Sequence, residues 1–511
     1  MTKQSILMGA AILFIASLFN RILSFGYRVA IIRIVGDEGI GLYEMVFPIY
    51  VMVLVLATAG IPLAMSKLVS AEMAKNNIAG AYKIMKIATV FLMISGSFFT
   101  LGLYLVLPYL VDRAFADPRV YLILKTMIPG ILLVSISSVF RGFFQGLQQM
   151  TPTAITQIVE QITRVAVGIY LSLLLLPHGL EYGVVGIAIG MVAGEAVGLL
   201  TIYAIYRRKR PTPPNYQSSL RSVTILKNIH ELSIPITLTR IVSSVIMSIE
   251  AMLIPQRLQA AGFTFREATS LYGQYSGIAM SLLVLPTVFT ISLAVTLIPS
   301  ISEAVAKNNI RSIQQRTMLS IAMTFMIGIP SALVFFVLAE NFTVALFNNR
   351  EAGQVLRILA LGGVFLYLHQ TCSGILQGLG EVKIPLINSI VGGAIRLGGI
   401  YLLAAIPSYG IKGVAIAVNL SFLTVAFLNL LALGKLVNFE LDVKNSIVKP
   451  LIASLVMLLV IIQLKKQLLV TGSDLGSLLL ICTAAAGVYF LMLVLTGAVN
   501  LKSIILRLKR W

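Results

Sequence analysis

Charged residues are scarce in this chain. Asp, Glu, Lys and Arg together make up 11% of the 511 residues, whereas soluble domains contain about 25%. Hydrophobic residues account for 58%, with a mean hydropathy of +0.95. This composition excludes an ordinary soluble protein, a disordered chain, collagen and a coiled coil. It predicts an all-α polytopic membrane protein.

Cysteine and histidine are also rare, with two and three residues respectively. Cys372 and Cys482 both fall in apolar segments, and their spacing fits neither a disulfide framework nor a metal site. The sequence lacks a Walker A motif, a Gly-x-Ser-x-Gly motif and a His-Glu-x-x-His motif. We therefore expect no ATP-driven pump, no enzyme activity, no cofactor and no bound metal.

Apolar segments of membrane-spanning length recur along the whole chain. A membrane helix needs about 20 largely apolar residues. Charge-free windows that meet this length lie at 45–66, 87–111, 317–339, 358–380, 414–434 and 475–501. Further segments are shorter or carry one charge, and together they predict about 14 transmembrane helices.

The formal charge of +20 comes from basic residues in short loops. Lys and Arg are most frequent in loops that share a side with the N-terminus, such as 67–86, 207–227 and 307–316, and Arg141 is assigned to another loop of this side. The positive-inside rule then predicts a plasma-membrane protein with both termini in the cytoplasm. The same distribution argues against nucleic acid as a partner.

The two halves of the chain repeat at a fixed offset of 232 residues. Lys75-Asn76-Asn77-Ile78 recurs at 307–310, and the Arg-Gly-Phe-Phe-Gln-Gly-Leu segment at 141–147 recurs as Ser-Gly-Ile-Leu-Gln-Gly-Leu at 373–379. Each repeat holds six helices, so the two lobes share an orientation and a pseudo-two-fold axis along the membrane normal. We predict an N-lobe (1–206), a basic cytoplasmic linker (207–231), a C-lobe (232–434), and helices 13–14 with a basic tail (435–511).

Several charged residues fall inside the predicted spans. A charge at the bilayer centre costs at least about 2.5–3.5 kcal/mol, so such residues usually face a cavity or a partner. Arginine binds phosphate through two parallel hydrogen bonds, which suits an anionic head group at a lobe interface. The candidate substrate-binding residues are Arg21, Arg28, Glu44, Arg164, Arg240 and Arg396, and Glu250 is the candidate for coupling to an ion or a proton.

Structural roles compete with binding for some of these residues. Arg28 is also compatible with snorkelling or with an ion pair to Glu44. Glu160 and Arg164 stand at i and i+4, the favoured order for an intrahelical ion pair. Arg396 has no acidic residue four positions before it, because position 392 is glycine. The remaining polar residues are interpreted as snorkelling near helix ends (Lys125, Glu195, Arg357) or as hydrogen-bonding within the core (His369).

Short motifs near the start of the chain resemble the multidrug/oligosaccharidyl-lipid/polysaccharide exporter superfamily. They are Ser-Leu-Phe-Asn-Arg-Ile-Leu-Ser-Phe at 17–25, Ile-Val-Gly at 34–36, Gly-Leu-Tyr at 41–43, Phe-Pro at 47–48, Gly-Ile-Pro at 60–62 and the two Gln-Gly-Leu turns. Within this superfamily the chain is most similar to the stage V sporulation protein B branch. The resemblance covers essentially the whole chain.

The resemblance implies two six-helix lobes with two extra helices, alternating access, and a lipid-linked cell-wall precursor as cargo. The related lipid II flippases use cavity arginines on helices one, two and eight. Arg21 matches the first of these arginines, whereas Tyr27 stands in place of the second and Arg28 is displaced by one residue. Helices two and eight carry no arginine here, so the expected cationic cavity is less strongly charged.

These observations predict a flippase that moves an undecaprenyl-pyrophosphate-linked peptidoglycan precursor across the plasma membrane by alternating access, for spore cortex synthesis. The expected partners are the lipid-linked anionic oligosaccharide, membrane lipids and cell-wall synthesis enzymes. One alternative is a cation-coupled multidrug exporter, whose cavity should favour acidic residues. Another is a non-transporting scaffold for cell-wall synthesis.

Overall fold

A computed structural model describes residues 6–209, 222–440, 442–468 and 474–498. Within these ranges the regular structure is helical, with no strand. Thirteen helical segments among the described residues are long and apolar enough to cross a membrane. The prediction of an all-α polytopic membrane fold is therefore confirmed.

Eighteen α-helices make up most of the described chain. The first nine are α1 (Ile6–Thr58), α2 (Ile61–Ala74), α3 (Ile78–Ala114), α4 (Val120–Met127), α5 (Pro129–Gly146), α6 (Thr151–Leu175), α7 (Leu180–Lys209), α8 (Ser222–Ala260) and α9 (Phe265–Tyr272). The other nine are α10 (Met280–Leu283), α11 (Thr287–Ala306), α12 (Ile310–Val337), α13 (Ala339–Phe347), α14 (Glu351–Gly378), α15 (Lys383–Leu403), α16 (Gly410–Val437), α17 (Lys449–Leu468) and α18 (Leu475–Leu495).

The longest helix, α1, contains two membrane crossings. Its 53 residues, at about 1.5 Å each, far exceed the hydrocarbon core of about 30 Å. Gly36 interrupts the helix with φ of 71° and ψ of −175°, a backbone conformation that is essentially restricted to glycine. Counting α1 as two helices brings the number of crossings to the fourteen that the sequence predicts.

Contacts divide the chain into two compact units. The first unit contains Met1–Gln256 and Phe265–Gly273, and the second contains Arg257–Thr264 and Gln274–Trp511. This division falls later in the chain than the predicted boundary between 206 and 232. The reason is α8, which begins inside the predicted linker and buries Ile225 and Ile229 in a hydrophobic cluster with residues of α2, α3 and α5.

The internal repeat is visible in local backbone structure. Asn77 and Asn309 cap α3 and α12 by accepting hydrogen bonds from backbone N–H groups three residues ahead, at 2.9 and 3.0 Å. The preceding residues, Asn76 and Asn308, both adopt the left-handed conformation, with φ of 56° and 51°. Asparagine tolerates this conformation and is a preferred N-cap. The repeated Lys-Asn-Asn-Ile segment therefore encodes the same turn in each unit.

The Gln-Gly-Leu glycines also make equivalent packing contacts. A Cβ on Gly146 of α5 would lie 2.8 Å from the carbonyl oxygen of Ser66 on α2. A Cβ on Gly378 of α14 would lie 3.1 Å from the carbonyl oxygen of Ile298 on α11. Both pairs are related by the 232-residue offset. Glycine is needed at these positions because each helix approaches its neighbour's backbone closely.

Helices α6 and α7 pack together through a stripe of glycines on α7. A Cβ on Gly190 would overlap the backbone of Gly168 on α6, and one on Gly194 would lie 2.8 Å from the carbonyl oxygen of Glu160. Small residues at every fourth position allow two membrane helices to approach closely. The stripe consists of Gly186, Gly190, Gly194 and Gly198. It brings Glu195, the residue after Gly194, against α6.

We predict that Gly190→Leu destabilises the first unit by at least about 1–3 kcal/mol, because the added side chain must separate α6 from α7. The midpoint of thermal unfolding of the detergent-purified protein measures this loss. The control is Gly102→Leu on α3, where a Cβ has no neighbouring atom within 4 Å. Equal unfolding midpoints for the two variants would contradict the close packing.

Candidate functional site

Four charged side chains from three helices meet in the first unit, and we call them the arginine–glutamate cluster. Arg164 on α6 donates from Nη2 to Glu160 Oε1 at 2.9 Å and to Glu195 Oε1 on α7 at 2.8 Å. Arg141 on α5 donates from Nη2 to Glu160 Oε2 at 2.6 Å. The cluster therefore connects α5, α6 and α7 through charge-assisted hydrogen bonds.

The arginine side chains of the cluster are more exposed than the glutamate side chains. The side chains of Arg164 and Arg141 are 25% and 20% exposed, whereas those of Glu160 and Glu195 are 12% and 10% exposed. With all four groups ionised the formal charge is zero, which lowers the cost of burying them.

Some hydrogen-bonding capacity of the cluster is unused within the described residues. Oε2 of Glu195, Nε of Arg164 and Nε of Arg141 are buried and have no hydrogen-bond partner there. Buried polar atoms normally have such a partner. These three atoms therefore keep hydrogen-bonding capacity that the described residues do not use.

Helix α1 supplies tyrosines to the same region. The hydroxyl of Tyr27 packs against Gly168 on α6, and that of Tyr50 packs near Gly130 on α5. Both hydroxyls are buried without a hydrogen-bond partner among the described residues. A buried tyrosine usually finds a partner for its hydroxyl. The surroundings of the cluster are therefore polar and incompletely satisfied.

A second ion pair lies beside the cluster. Arg28 donates from Nη2 to Glu44 Oε1 at 2.7 Å, so the structure has the ion pair that the sequence offered as the alternative to substrate binding. Tyr43 interacts electrostatically with Arg28, Glu44, Arg164 and Glu195. The pair and the cluster are therefore neighbours around α1.

Arg21 and Arg240, on α1 and α8, are both exposed. Neither makes a hydrogen bond or an ion pair in the part of the chain that the structure describes, and neither joins the arginine–glutamate cluster. Their guanidinium groups are available to a ligand. Glu250, on the same helix as Arg240, is buried with 5% exposure.

The second unit keeps the repeated arginine but not the carboxylates. The positions 232 residues after Arg141, Glu160, Arg164 and Glu195 are Ser373, Gly392, Arg396 and Phe427. Arg396 donates from Nη2 to the hydroxyl of Tyr275 at 2.7 Å. A tyrosine hydroxyl therefore accepts the hydrogen bond where the first unit uses carboxylates.

Neutral side chains form the polar network around Ser373. Asn429 contacts His369 Nδ1 at 3.2 Å, donates to Ser373 Oγ at 3.2 Å, and accepts from Asn388 Nδ2 at 2.8 Å. The interpretation of His369 as a hydrogen-bonding residue is confirmed. This network contains no carboxylate, whereas the arginine–glutamate cluster contains two.

Two cluster residues correct the sequence interpretation. The sequence predicts a cytoplasmic loop for Arg141 and a snorkelling position for Glu195, and both predictions are wrong. Arg141 lies inside α5, and Glu195 lies within α7 with 7% exposure. The glycine stripe on α7 was the available signal, because it turns the side of α7 that carries Glu195 toward a neighbouring helix.

A further ionic group links three segments outside the cluster. Asp117 is fully buried and accepts hydrogen bonds from Arg119 Nη2 at 2.7 Å and from Thr269 Oγ1 on α9 at 3.0 Å. Arg119 also pairs with Glu38 at 2.7 Å. Burial lowers the pKa of the Arg119 guanidinium, but the hydrogen bonds to Asp117 and Glu38 raise it above its ordinary value. Arg119 therefore stays charged and holds these segments together.

Comparisons with known proteins identify similar chains. Residues 6–305 match the family described as polysaccharide biosynthesis protein, and residues 276–402 match the MatE family. The chain is 29% identical to Stage V sporulation protein B of Bacillus subtilis (strain 168) over 448 residues, which cover 87% of this chain and 86% of the relative. It is 24% identical to the lipid II flippase MurJ of the same organism over 424 residues, which cover 77% and 76%.

A solved structure shows the same fold. The lipid II flippase MurJ in an inward closed conformation aligns with a TM-score of 0.71, covering 94% of this chain and 97% of that one. Sequence identity in this alignment is 16%, so it supports the fold alone.

We predict that Glu160→Ala destabilises the protein by about 3 kcal/mol, because it leaves Arg141 and Arg164 with one carboxylate between them in a buried site. Thermal unfolding in detergent measures the change. Glu303→Ala is the matched control, since its carboxylate forms an exposed pair with Lys307 and should contribute little to stability. A Glu160→Ala midpoint equal to that of the control would show that the cluster does not support the fold.

Proposed function

This chain belongs to the polysaccharide biosynthesis protein family, and from that premise we propose that it is a flippase for an undecaprenyl-pyrophosphate-linked peptidoglycan precursor. Its membership of the multidrug/oligosaccharidyl-lipid/polysaccharide exporter superfamily, indicated by the sequence motifs, is confirmed, and the chain is a multi-pass membrane transporter of that superfamily. The proposed cargo and its use in spore cortex synthesis extend this conclusion. The names of its relatives, a sporulation protein and a lipid II flippase, support both.

The observation that carries the proposal is the set of accessible arginines within the apolar helices of the first unit. Arg21 and Arg240 are exposed. Arg28 and Arg164 keep 32% and 25% side-chain exposure even though they are ion-paired. Guanidinium groups bind phosphate oxygens with paired hydrogen bonds and stay charged at any physiological pH. A pyrophosphate head group is an anion that such side chains suit.

The proposed mechanism keeps the lipid and its head group in different surroundings. The head group binds among the arginines while the polyprenyl chain remains in the bilayer. Two lobes related by a pseudo-two-fold axis then rock to expose the head group on the outer side. Membrane potential or ion exchange supplies the driving force, with Glu250 as the coupling residue and Arg396 as a binding residue of the second lobe.

A cation-coupled multidrug exporter is the second candidate, because residues 276–402 match the MatE family. A site for cationic drugs needs carboxylates that are free to pair with the drug. Glu44, Glu160 and Glu195 are each paired with an arginine. This pairing favours an anionic cargo. A scaffold without transport activity is the third candidate, and the arginine variants below separate it from the first.

We predict that Arg21→Ala and Arg240→Ala each reduce precursor export roughly tenfold, because each removes a charged hydrogen-bond donor to the head group. The measurement is the amount of lipid-linked precursor on each leaflet in a depleted strain that carries the variant. Arg21→Lys keeps the charge and should retain part of the activity.

The control for this experiment is Arg113→Ala, which removes an exposed arginine at the end of α3. Membrane insertion is verified for every variant. Normal export by inserted Arg21→Ala and Arg240→Ala proteins would contradict the binding role and favour a scaffold.

We also propose that both termini are cytoplasmic, and single cysteines test this orientation. Cys372 and Cys482 are first replaced by serine. An impermeant maleimide added to intact cells should then label Asp112→Cys and leave Lys75→Cys unlabelled. Both native side chains are exposed, but Lys75 lies just before the start of α3 and Asp112 lies near its end. The reverse labelling pattern would place the termini outside.

A further inference from the structure

Arg164 is held by two carboxylates through a single nitrogen. Nη2 donates one hydrogen bond to Glu160 Oε1 at 2.9 Å and another to Glu195 Oε1 at 2.8 Å. A guanidinium Nη atom carries two protons. Both are committed, so this nitrogen can donate to a phosphate oxygen only after one of the carboxylates releases it.

Glu195 is the carboxylate that is placed to release Arg164. Glu160 is bound by two arginines, because it also accepts a hydrogen bond from Arg141 at 2.6 Å. Glu195 has Arg164 as its one ion-pair partner in the described part of the chain. Its Oε2 atom is buried there without a hydrogen-bond partner. Neutralising Glu195 therefore breaks one ion pair, whereas neutralising Glu160 breaks two.

The groups that face Glu195 come from the helices packed around α7. They are Glu160 and Arg164 on α6, Arg141 on α5, and Tyr43 and Tyr50 on α1. The charged residue of α4, Lys125, lies instead over the rings of Tyr104 and Tyr121. Arginine and tyrosine do not ordinarily change protonation near neutral pH. The two glutamates are therefore the groups of this set that can take up a proton.

We propose that Glu195 is a proton-binding site coupled to the anionic head group, an inference that rests on the proposed function. A proton from solvent binds Glu195 Oε2, and the hydrogen bond from Arg164 Nη2 to this residue is released. The formal charge of the cluster changes from zero to plus one. Arg164 then donates to a phosphate oxygen of the cargo, whose negative charge balances the cluster. No covalent bond of the cargo forms or breaks.

This coupling has a clear physical advantage. A pyrophosphate that enters a membrane protein must leave bulk water, and each net charge held at membrane depth is costly. A proton that accompanies the head group lowers the net charge that crosses. By linkage, a proton that strengthens cargo binding is itself bound more tightly when the cargo is present, by the same factor.

The experiment measures binding and proton uptake together on the full-length protein in detergent. Undecaprenyl pyrophosphate is the probe, and undecaprenol is the uncharged control lipid. For the wild type we expect affinity to rise about tenfold as the pH falls from about 8 to 6, with uptake of about one proton per bound probe, read by an indicator dye in weakly buffered solution.

Glu195→Gln mimics the protonated side chain and should bind the probe without proton uptake. Ionisation of the probe itself is common to every variant, so the difference between wild type and Glu195→Gln isolates the contribution of Glu195. Glu72→Gln is the matched control, because it neutralises a buried carboxylate of the same unit that pairs with Lys75. It should keep the wild-type pH dependence and proton uptake.

The possible outcomes separate the two proposals. If the wild type does not bind undecaprenyl pyrophosphate at any pH, the proposed function fails, and this inference fails with it. If the wild type binds but Glu195→Gln keeps the full pH dependence and proton uptake, the inference is overturned and the proposed function stands. If Glu195→Gln does not fold, Glu195→Asp replaces it. A shifted midpoint of the pH dependence then supports the proposal, and an unchanged midpoint overturns it.

Discussion

The cost of placing arginine within the bilayer governs the organisation of the first unit. An unpaired charge at membrane depth is expensive, and a paired one is tolerated when hydrogen bonds satisfy it. Arg28, Arg141 and Arg164 are each matched with a glutamate at 2.6 to 2.9 Å. The helices that supply these partners must therefore pack in one register. Ion pairing thus orients the helices as well as compensating charge.

Close helix packing is the condition that allows this pairing. The glycine stripe on α7 brings its backbone against α6, and Glu195 then reaches Arg164 at 2.8 Å. A larger residue at Gly190 would hold the helices apart and break the pair between Arg164 and Glu195, which leaves the buried Glu195 carboxylate without its arginine. The ion pair between the two long side chains therefore depends on the close helix contact that the glycines allow.

The two units share backbone turns and glycine contacts but differ in their charged residues. The asparagine turns at Asn77 and Asn309 and the glycine contacts at Gly146 and Gly378 recur at the same offset. The carboxylates do not recur, because Gly392 and Phe427 stand at the positions equivalent to Glu160 and Glu195, and Arg396 donates to the hydroxyl of Tyr275. The repeat therefore preserves the scaffold of a transporter of this superfamily, while the paired charges of the described cluster belong to the first unit. The proposed function uses this asymmetry, because the first unit would bind the charged part of the proposed cargo.

The sequence by itself determined the membrane class, the spans, the 232-residue repeat and the intrahelical pair of Glu160 and Arg164. Each of these depends on composition or on spacing within one helix, which the linear order of residues records directly. Only the tertiary structure decided that Arg141 and Glu195 complete the cluster and that part of α8 belongs to the first unit. Those outcomes depend on how each helix is rotated against its neighbours. That rotation is set by glycine contacts and by ion pairs between residues that are far apart in the chain.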